Sequence, residues 1–222
     1  MSTSGGTWVN AVLFVLTIAL AVQIALILRD GRPPSVTWTA VGLWLLVAVP
    51  SLLQIPFPAL LTSLRRDPDL IRHNGQVWRV LTSVLVQDGG LPGTVFNLVI
   101  LAVVGLFAAE VWGPVLTPVV FLLAHLVFNM SVTFLSSEVG AGNSGATLGL
   151  AASMAGLALL TQSEMALRWR AIGVLGVGIA LVGIGDAHGI GVLGGLVIGI
   201  LVARVTSRPG NLWQTRPHHV PG

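Results

Sequence analysis

The chain has 222 residues, of which 54% are hydrophobic and only 9% are charged, and its mean hydropathy is +0.90. This composition excludes an ordinary soluble domain and is typical of a polytopic membrane protein. There is no cysteine, which excludes disulfides and thiolate metal sites. The eleven basic residues are all arginines, placed singly or in pairs between apolar runs. They do not form the basic face that nucleic-acid binding needs, so we expect no nucleic-acid partner.

The first apolar run, Trp8–Leu28, is long enough to span a bilayer as a helix. The residues before it contain no Lys or Arg, so the basic region of a cleaved signal peptide is missing and we expect a retained helix. A break at residues 29–34, which holds two prolines, separates this run from a second one at residues 36–61. Three prolines lie inside the second run, and we expect them to bend or end its helix.

The longest polar stretch, residues 65–77, comes next and leads into the dipeptide Trp78-Arg79. Tryptophan and arginine both suit the headgroup level of a membrane. We therefore expect the segment up to residue 86 to lie at the interface. Arg79 could brace this first outer loop, but we expect its side chain to extend toward the lipid headgroups. A glycine- and proline-rich turn follows at residues 89–93.

The second half of the chain contains five further apolar runs separated by short breaks. They are residues 94–111, 115–135, 144–160, 166–183 and 187–205. Together with the two earlier runs they predict an all-α bundle of seven membrane helices. We divide the chain into an N-terminal helix and loop (1–34), a membrane core (35–206) and a disordered polar tail (207–222).

The arginines indicate how the bundle is oriented. Seven crossings put the two ends of the chain on opposite sides of the membrane. The side of the C-terminal tail carries seven arginines and the other side carries four. Because positive charge accumulates on the cytoplasmic side, we expect a cytoplasmic C-terminus and place Ser144 near the outer face. The expected location is a cell membrane, of the bacterial plasma-membrane type.

Three polar residues lie near the start of three of the predicted helices. Ser144, in the sequence Gly142-Asn143-Ser144-Gly145, begins the fifth run, His188 lies at the start of the last run, and Asn97 lies early in the third. These helices are every second crossing, so they run parallel and place the three side chains at one depth. Glycine flanks leave the serine hydroxyl unshielded, and a helix start offers free N–H groups.

Small residues predict that two of these helices touch. Glycines recur every four residues in both of them, at Gly145 and Gly149 and at Gly191, Gly195 and Gly199. Such spacing lets membrane helices approach backbone to backbone, although it also serves plain packing. The approach would bring His188, a general base, within reach of Ser144, a candidate nucleophile. The Ser144 N–H and the Asn97 amide are the candidate oxyanion donors.

These residues resemble the rhomboid intramembrane serine proteases. The resemblance covers about residues 36–205. It is carried by Gly142-Asn143-Ser144-Gly145, by Ala187-His188 followed by Gly191 and Gly195, by Trp78-Arg79, and by Phe96-Asn97-Leu98 followed by Gly105 and Glu110. It implies a six-helix core with one extra N-terminal helix. It further implies a dyad of Ser144 and His188 without a carboxylate, with Asn97 in the oxyanion hole and no cofactor or metal. The implied reaction is cleavage in or near transmembrane segments of other proteins within the bilayer.

One position departs from the family pattern. The family usually has a histidine four residues before the asparagine, where this chain has Gly93. His125 and Asn129 repeat the His-x-x-x-Asn spacing one helix later. Only fifteen residues separate Asn129 from Ser144, too few for the helix that should intervene, so Asn97 remains the match. We expect His125 and Asn129 to share a helix face as a buried pair or an accessory to the site.

Asp186 lies two residues before His188. On one helix that spacing puts the two side chains on different faces, so we expect Asp186 to cap the last helix rather than to orient the histidine.

Two alternatives to an active protease stay open. Gly93 favours a rhomboid-like pseudoprotease that binds membrane clients without cutting them. A small transporter would use Asp186 and His188 as a proton relay, but the sequence has no inverted repeat to support it.

Overall fold

The computed structural model describes residues 8–206, and the predicted disordered tail lies outside this range. The described part of the chain is helical, in agreement with the predicted all-α class. Its helices are α1 (Trp8–Leu28), α2 (Trp38–Leu53), α3 (Ala59–Leu64), α4 (Pro68–Asn74), α5 (Arg79–Thr82), α6 (Gly90–Leu135), α7 (Ser144–Thr161), α8 (Met165–Gly183) and α9 (His188–Thr206).

The 46-residue helix α6 is two helices joined at a break. Gly113 has φ 75° and ψ −179°, a conformation that a residue with a side chain rarely adopts, and Pro114 starts the second leg. Asn97, sixteen residues before the break, accepts a hydrogen bond from Asn143, and Phe128, fifteen residues after it, packs on Gly145. Residues of both legs therefore contact the start of α7, as expected for two successive membrane helices that run in opposite directions.

Five helices in the described range are long and apolar enough to cross a membrane, and α6 counts once among them. The sixth apolar helix, α2, has 16 residues and falls just short of the usual span. Counting both legs of α6, the described residues contain the seven apolar segments expected from the sequence. The predicted second run is shorter than expected: α2 ends at Leu53, and α3 starts separately after Pro56 and Pro58.

Helix α7 is the centre of the bundle. In its most apolar stretch 78% of the residues are buried, against 33–44% in the other long apolar helices. Its small residues allow this. A Cβ added to Gly191 of α9 would lie 2.8 Å from the Gly145 carbonyl oxygen, and one added to Gly195 would overlap the Gly149 backbone. The predicted glycine contact between α7 and α9 is therefore present, and it fixes how their first residues meet.

Helix α1 packs on the core through a single apolar face. Its buried residues are Asn10, Phe14, Thr17, Ile18, Ala21, Ile24 and Ala25, which recur at the spacing of one helix face. This face contacts α8, α7 and α6. At the far end of α1, Gln23 Oε1 accepts a hydrogen bond from the Arg170 Nε of α8 at 2.9 Å.

The polar segment between α3 and α6 folds over the end of the bundle that carries Ser144. Arg79 is 8% exposed, and its Nη1 donates to the carbonyl oxygens of Thr62 and Arg65 at 3.0 and 2.9 Å. The expectation that this side chain reaches to lipid headgroups is wrong. A buried guanidinium needs several acceptors, and the backbone turn around α3 supplies them, so Arg79 holds the segment together.

Candidate active site

The first residues of α7 and α9 contact each other. Ser144 begins α7, His188 begins α9, and the Ser144 Oγ lies 2.8 Å from the His188 Nε2. Ser144 and His188 are the residues that the parallel direction of their helices and the spacing of the glycines predict to meet, and the structure brings them together. His188 is 3% exposed, whereas Ser144 is only partly buried. The hydroxyl is therefore accessible from one side while the ring that faces it is enclosed.

The other nitrogen of the His188 ring faces a carboxylate. Asp186 Oδ1 lies 2.7 Å from His188 Nδ1 and accepts the His188 backbone N–H at 2.8 Å. The expectation that Asp186 caps the helix without orienting the histidine is therefore wrong, since one oxygen does both. Asp186 precedes α9, so the spacing of side chains along a helix does not apply to it. Beside the carboxylate, Nδ1 carries the proton and Nε2 accepts from Ser144.

Asp186 itself is 1% exposed in the turn between α8 and α9. Burial alone would raise the pKa of this carboxyl, but the hydrogen bonds and charge of His188, together with the Asn10 amide, outweigh it and lower the pKa. The ionised form is thus the one that its surroundings stabilise.

Two aromatic rings enclose the His188 imidazole. Phe14 of α1 has its ring centroid 4.6 Å from that of His188 at an interplanar angle of 58°, and Phe128 of α6 stacks at 5.4 Å and 30°. One turn before Phe14, the Asn10 Nδ2 donates a hydrogen bond to Asp186 Oδ2. The N-terminal helix therefore contacts both the histidine and its carboxylate.

Gly142 leaves a space beside the Ser144 hydroxyl. A Cβ at this position would lie 3.8 Å from the Ser144 Oγ, 3.5 Å from the Asn97 Nδ2 and 3.2 Å from the Gln87 Oε1. Its φ of 142° also disfavours any residue with a side chain. The absent side chain leaves room for a small group between the serine oxygen and the Asn97 amide. The Ser144 N–H, one of the first N–H groups of α7, has no intrahelical acceptor.

A family comparison bears on this arrangement. The model of the Rhomboid domain matches residues 74–209, which is more than half of the chain. The chain belongs to the rhomboid family. Rhomboids are usually intramembrane proteases, and this one is a multi-pass membrane protein. No curated protein and no solved structure matches the chain.

Gly93, where this rhomboid lacks the usual histidine, lies one helical turn before Asn97 on α6. No atom outside its own helix segment lies within 4 Å of a Cβ built there, so a larger side chain would have room. The missing ring is not replaced by His125, which is 1% exposed and lies on the other leg of α6.

His125 and Asn129 form a buried pair, one of the two outcomes expected of them. The Asn129 Nδ2 lies 2.9 Å from the His125 Nδ1. The Asn129 Oδ1 accepts hydrogen bonds from Arg66 Nη1 at 3.1 Å and from Ser83 Oγ at 3.3 Å. Asn129 also lines a small cleft with Ser144 and His188, so the pair connects the polar segment to the site without contacting the serine.

Gln87 is a part of the site that sequence reasoning missed. It is 1% exposed, its Oε1 accepts from the Asn97 Nδ2 at 2.8 Å, and its Nε2 donates to the Asn143 Oδ1 at 2.9 Å. Gln54 exchanges two hydrogen bonds with its backbone, at 2.7 and 2.8 Å. Gln87 thus holds Asn97 beside the residue that precedes Ser144. The only signal for it in the sequence is an amide directly after a segment expected to be interfacial.

Two charged side chains line the cleft on the open side of the dyad. Arg66 is 2% exposed, and burial lowers its pKa although the charges of Asp88 and Glu138 oppose this. Burial raises the pKa of Asp88, whose Oδ2 accepts the Ala141 N–H at 2.8 Å. The cleft is therefore polar and suited to water. Among residues 8–206, no group of three or more His, Asp or Glu side chains is placed to hold a metal ion.

Proposed function

We propose that this chain is an intramembrane serine protease that cleaves peptide bonds in or near transmembrane segments of other membrane proteins. One observation carries the proposal: the 2.8 Å contact between Ser144 Oγ and His188 Nε2, made between the first residues of two different helices. A serine hydroxyl is a weak nucleophile until a base removes its proton, and a neutral imidazole at hydrogen-bond distance is such a base.

The reaction follows the acyl-enzyme route of serine hydrolases. Ser144 Oγ attacks the scissile carbonyl carbon while His188 Nε2 takes the hydroxyl proton. The tetrahedral intermediate collapses with loss of the amine, which takes that proton from Nε2 as it leaves. Water from the polar cleft then attacks the ester carbon while His188 Nε2 takes its proton. The second tetrahedral intermediate collapses by breaking the bond to Ser144 Oγ, which takes the proton back from Nε2, and the carboxylic acid product leaves. Asp186 stays ionised, keeps Nδ1 protonated and stabilises the imidazolium in both halves of the reaction.

The developing oxyanion needs donors that are already in place. We assign this role to the Ser144 backbone N–H and the Asn97 side-chain amide, on either side of the space that Gly142 leaves. Gln87 accepts from one N–H of the Asn97 amide and thereby orients the group. With Gly93 in place of the family's histidine, the hole has one fewer side-chain donor.

The proposed partners are membrane proteins and the bilayer itself. Ser144 and His188 both begin apolar helices, so the dyad lies at a membrane boundary rather than at the bilayer centre. The proposed location is a bacterial plasma membrane. The arginine distribution supports an orientation with the dyad near the outer face and the C-terminus in the cytoplasm. Alkaline-phosphatase and fluorescent-protein fusions at the C-terminus test that orientation, and periplasmic phosphatase activity would reverse it.

The test of the reaction is labelling of the purified full-length chain with a fluorescent fluorophosphonate, together with cleavage of a transmembrane substrate in nanodiscs. Ser144→Ala should abolish labelling, and both Ser144→Ala and His188→Ala should abolish cleavage. Ser153→Ala is the matched control because Ser153 lies on α7 but bonds to Trp112 instead of His188. Labelling and cleavage that persist in folded Ser144→Ala would refute the proposal.

Gly93 favours a second candidate, a pseudoprotease that retains membrane clients without cutting them. In that case the folded wild type and the folded Ser144→Ala variant would bind a transmembrane client equally well, and neither would show labelling or cleavage. The intact chain of hydrogen bonds from Asp186 through His188 to Ser144 is the reason we rank the protease first.

A further inference from the structure

The N-terminal helix reaches the proposed catalytic residues although it lies outside residues 74–209, which match the Rhomboid domain. Asn10 and Phe14 are both 8% exposed and lie one turn apart on the buried face of α1. Asn10 contacts Asp186 and Phe14 contacts His188. Phe14 also lines a second, apolar cleft that reaches Ser144.

We propose that Asn10 is a positioning residue of the active site, which holds Asp186 and through it the His188 ring, so that α1 completes the site of the core. This inference rests on the proposed function. It assigns the extra helix a part in the chemistry in addition to its packing contacts.

The geometry of the Asp186 carboxylate is the first argument. Its Oδ1 accepts two hydrogen bonds from His188, one from the backbone and one from the ring. Its Oδ2 accepts from Asn10, which comes from a helix 176 positions away in the sequence. A carboxylate that is 1% exposed must have its second oxygen satisfied as well as its first. The Asn10 amide does this and fixes the rotation of the carboxylate about its last bond.

The enclosure of the imidazole is the second argument. Phe14 and Phe128 contact the His188 ring from α1 and from α6, with centroids 4.6 and 5.4 Å away. Together with the Asp186 contact, they leave the ring one orientation, in which Nε2 faces Ser144. Removing α1 would open one face of the ring and free one oxygen of its carboxylate.

The pH dependence of the reaction reports on this arrangement. Activity requires the Asp186–His188 pair without its extra proton, so it rises with pH on the acid limb of the profile. Without the Asn10 donor, the carboxylate is a stronger base and the pair keeps that proton to higher pH. The acid limb therefore moves upward. A second carboxylate in place of Asn10 would move it further, because negative charge stabilises the protonated pair.

The other charged groups around the pair are few, and they are the same in wild type and in the Asn10 and Thr17 variants. Arg66 and Asp88 line the polar cleft with His188, from the segments before α4 and before α6. Neighbouring α7 and α6 face the ring with Ser144 and Phe128. The charged residues of α8, Arg168 and Arg170, lie in its first turns at the opposite end.

The experiment measures kcat/KM against pH for full-length wild type, Asn10→Ala and Asn10→Asp in nanodiscs. We expect about a tenfold loss at neutral pH for Asn10→Ala, with its acid limb raised by about one pH unit, and a larger rise for Asn10→Asp. Thr17→Val is the matched control on the same face of α1. Its hydroxyl bonds within its own helix, to the Leu13 carbonyl at 2.9 Å, so its limb should not move.

A second readout does not depend on proteolysis. The downfield Nδ1 proton resonance of His188, identified by its loss in His188→Ala, reports the hydrogen bond to Asp186 directly. It should shift from its wild-type position in Asn10→Ala and stay in place in Thr17→Val. Failure of the proposed function is seen separately, either as no cleavage at all or as cleavage that does not depend on Ser144, and it leaves this resonance as the measure of the Asn10 contact.

The proposal is overturned when the Nδ1 resonance of folded Asn10→Ala matches wild type. It is equally overturned by a lower rate with an unmoved acid limb, because that pattern means α1 only packs. Asn10→Asp keeps the volume of the side chain, so the position of its acid limb tests the proposal if Asn10→Ala does not fold.

Discussion

The side-chain amide of Asn97 donates a hydrogen bond to the Oε1 of Gln87 at 2.8 Å. The Asn143 side chain contacts both residues: it donates to the Asn97 carbonyl oxygen at 3.3 Å and accepts from the Gln87 Nε2 at 2.9 Å. The proposed oxyanion donor is thus held by groups from the polar segment and from the residue before the nucleophile. A donor held in place before the reaction needs no reorganisation when charge develops.

The first prediction concerns this donor. Asn97→Ala removes the side-chain amide from the space beside Gly142 and should lower kcat by about 10²-fold, the usual effect of losing one oxyanion donor. KM should change little, because the donor acts mainly in the transition state. Steady-state cleavage of a transmembrane substrate measures both constants. Gln54→Leu, which removes partners of the Gln87 backbone and leaves the Asn97 contact, is the control. Equal kcat for Asn97→Ala and wild type would assign the oxyanion to other donors.

The second prediction concerns the position where the family usually has histidine. A Cβ at Gly93 would meet nothing within 4 Å, and the residue lies one turn from Asn97 on α6. Gly93→His should therefore fit and raise kcat several-fold by adding a donor at the oxyanion hole, which is less than the roughly 10²–10³ that a native donor supplies. Gly93→Leu controls for bulk and helix propensity, since it offers no N–H. A rate unchanged in Gly93→His, or raised equally in Gly93→Leu, would count against a missing donor.

The third prediction tests whether helix contact holds the dyad. A Cβ on Gly195 would overlap the Gly149 backbone, so Gly195→Ala must push α9 away from α7. We expect a loss of about 1–3 kcal/mol in the free energy of unfolding and a large fall in cleavage. Gly176→Ala on α8 is the matched control, because nothing lies within 4 Å of its added Cβ. Unfolding in mixed micelles gives the stability. Unaltered stability and rate in Gly195→Ala would show that this contact is not needed.

Much of this architecture could be predicted because a bilayer imposes simple rules. Apolar runs of span length give the helices, and Gly113-Pro114 marks the break inside α6. Because α7 and α9 are alternate membrane crossings, they run parallel and place Ser144 and His188 at the same end of the bundle. Glycine spacing on the two helices then predicts that these residues meet. These inferences need only periodicity and counting, and the structure contains both the helices and the 2.8 Å contact.

The contributions of Asn10, Gln87 and Arg66 could not be predicted in the same way. Each is one polar side chain whose partner is distant in the sequence, and no periodic pattern indicates where it points. The orienting role of Asp186 could not be predicted for a related reason. Helix spacing does not hold for a residue in the turn before α9, where tertiary packing sets the backbone direction.

The fourth prediction concerns Asp88, an exposed residue whose carboxyl is partly desolvated where it lines the polar cleft. Burial raises the pKa of Asp88 above its ordinary value, so ionisation of this group costs stability in the folded state. The stabilising contribution of its neutral form is complete below the unfolded pKa, near about 4, and is lost as pH rises through the folded pKa. Asp88→Asn stays neutral throughout and keeps an oxygen for the Ala141 N–H.

Asp88→Asn should therefore be more stable than wild type at pH 7, and the two should converge below about pH 4. Because Asp88 is exposed, solvent screening keeps the difference at neutral pH below the ~1.4 kcal/mol that each unit of raised pKa would give a buried group. Asp88→Asn also removes the attraction between Asp88 and Arg66, which reduces this gain in stability. A double-mutant cycle of Asp88→Asn and Arg66→Met separates the lost attraction from the relieved cost of ionisation. Unfolding free energies in mixed micelles from pH 3 to pH 8 provide the measurement. A variant that is less stable than wild type at pH 7 would mean that the attraction to Arg66 exceeds the cost of burial.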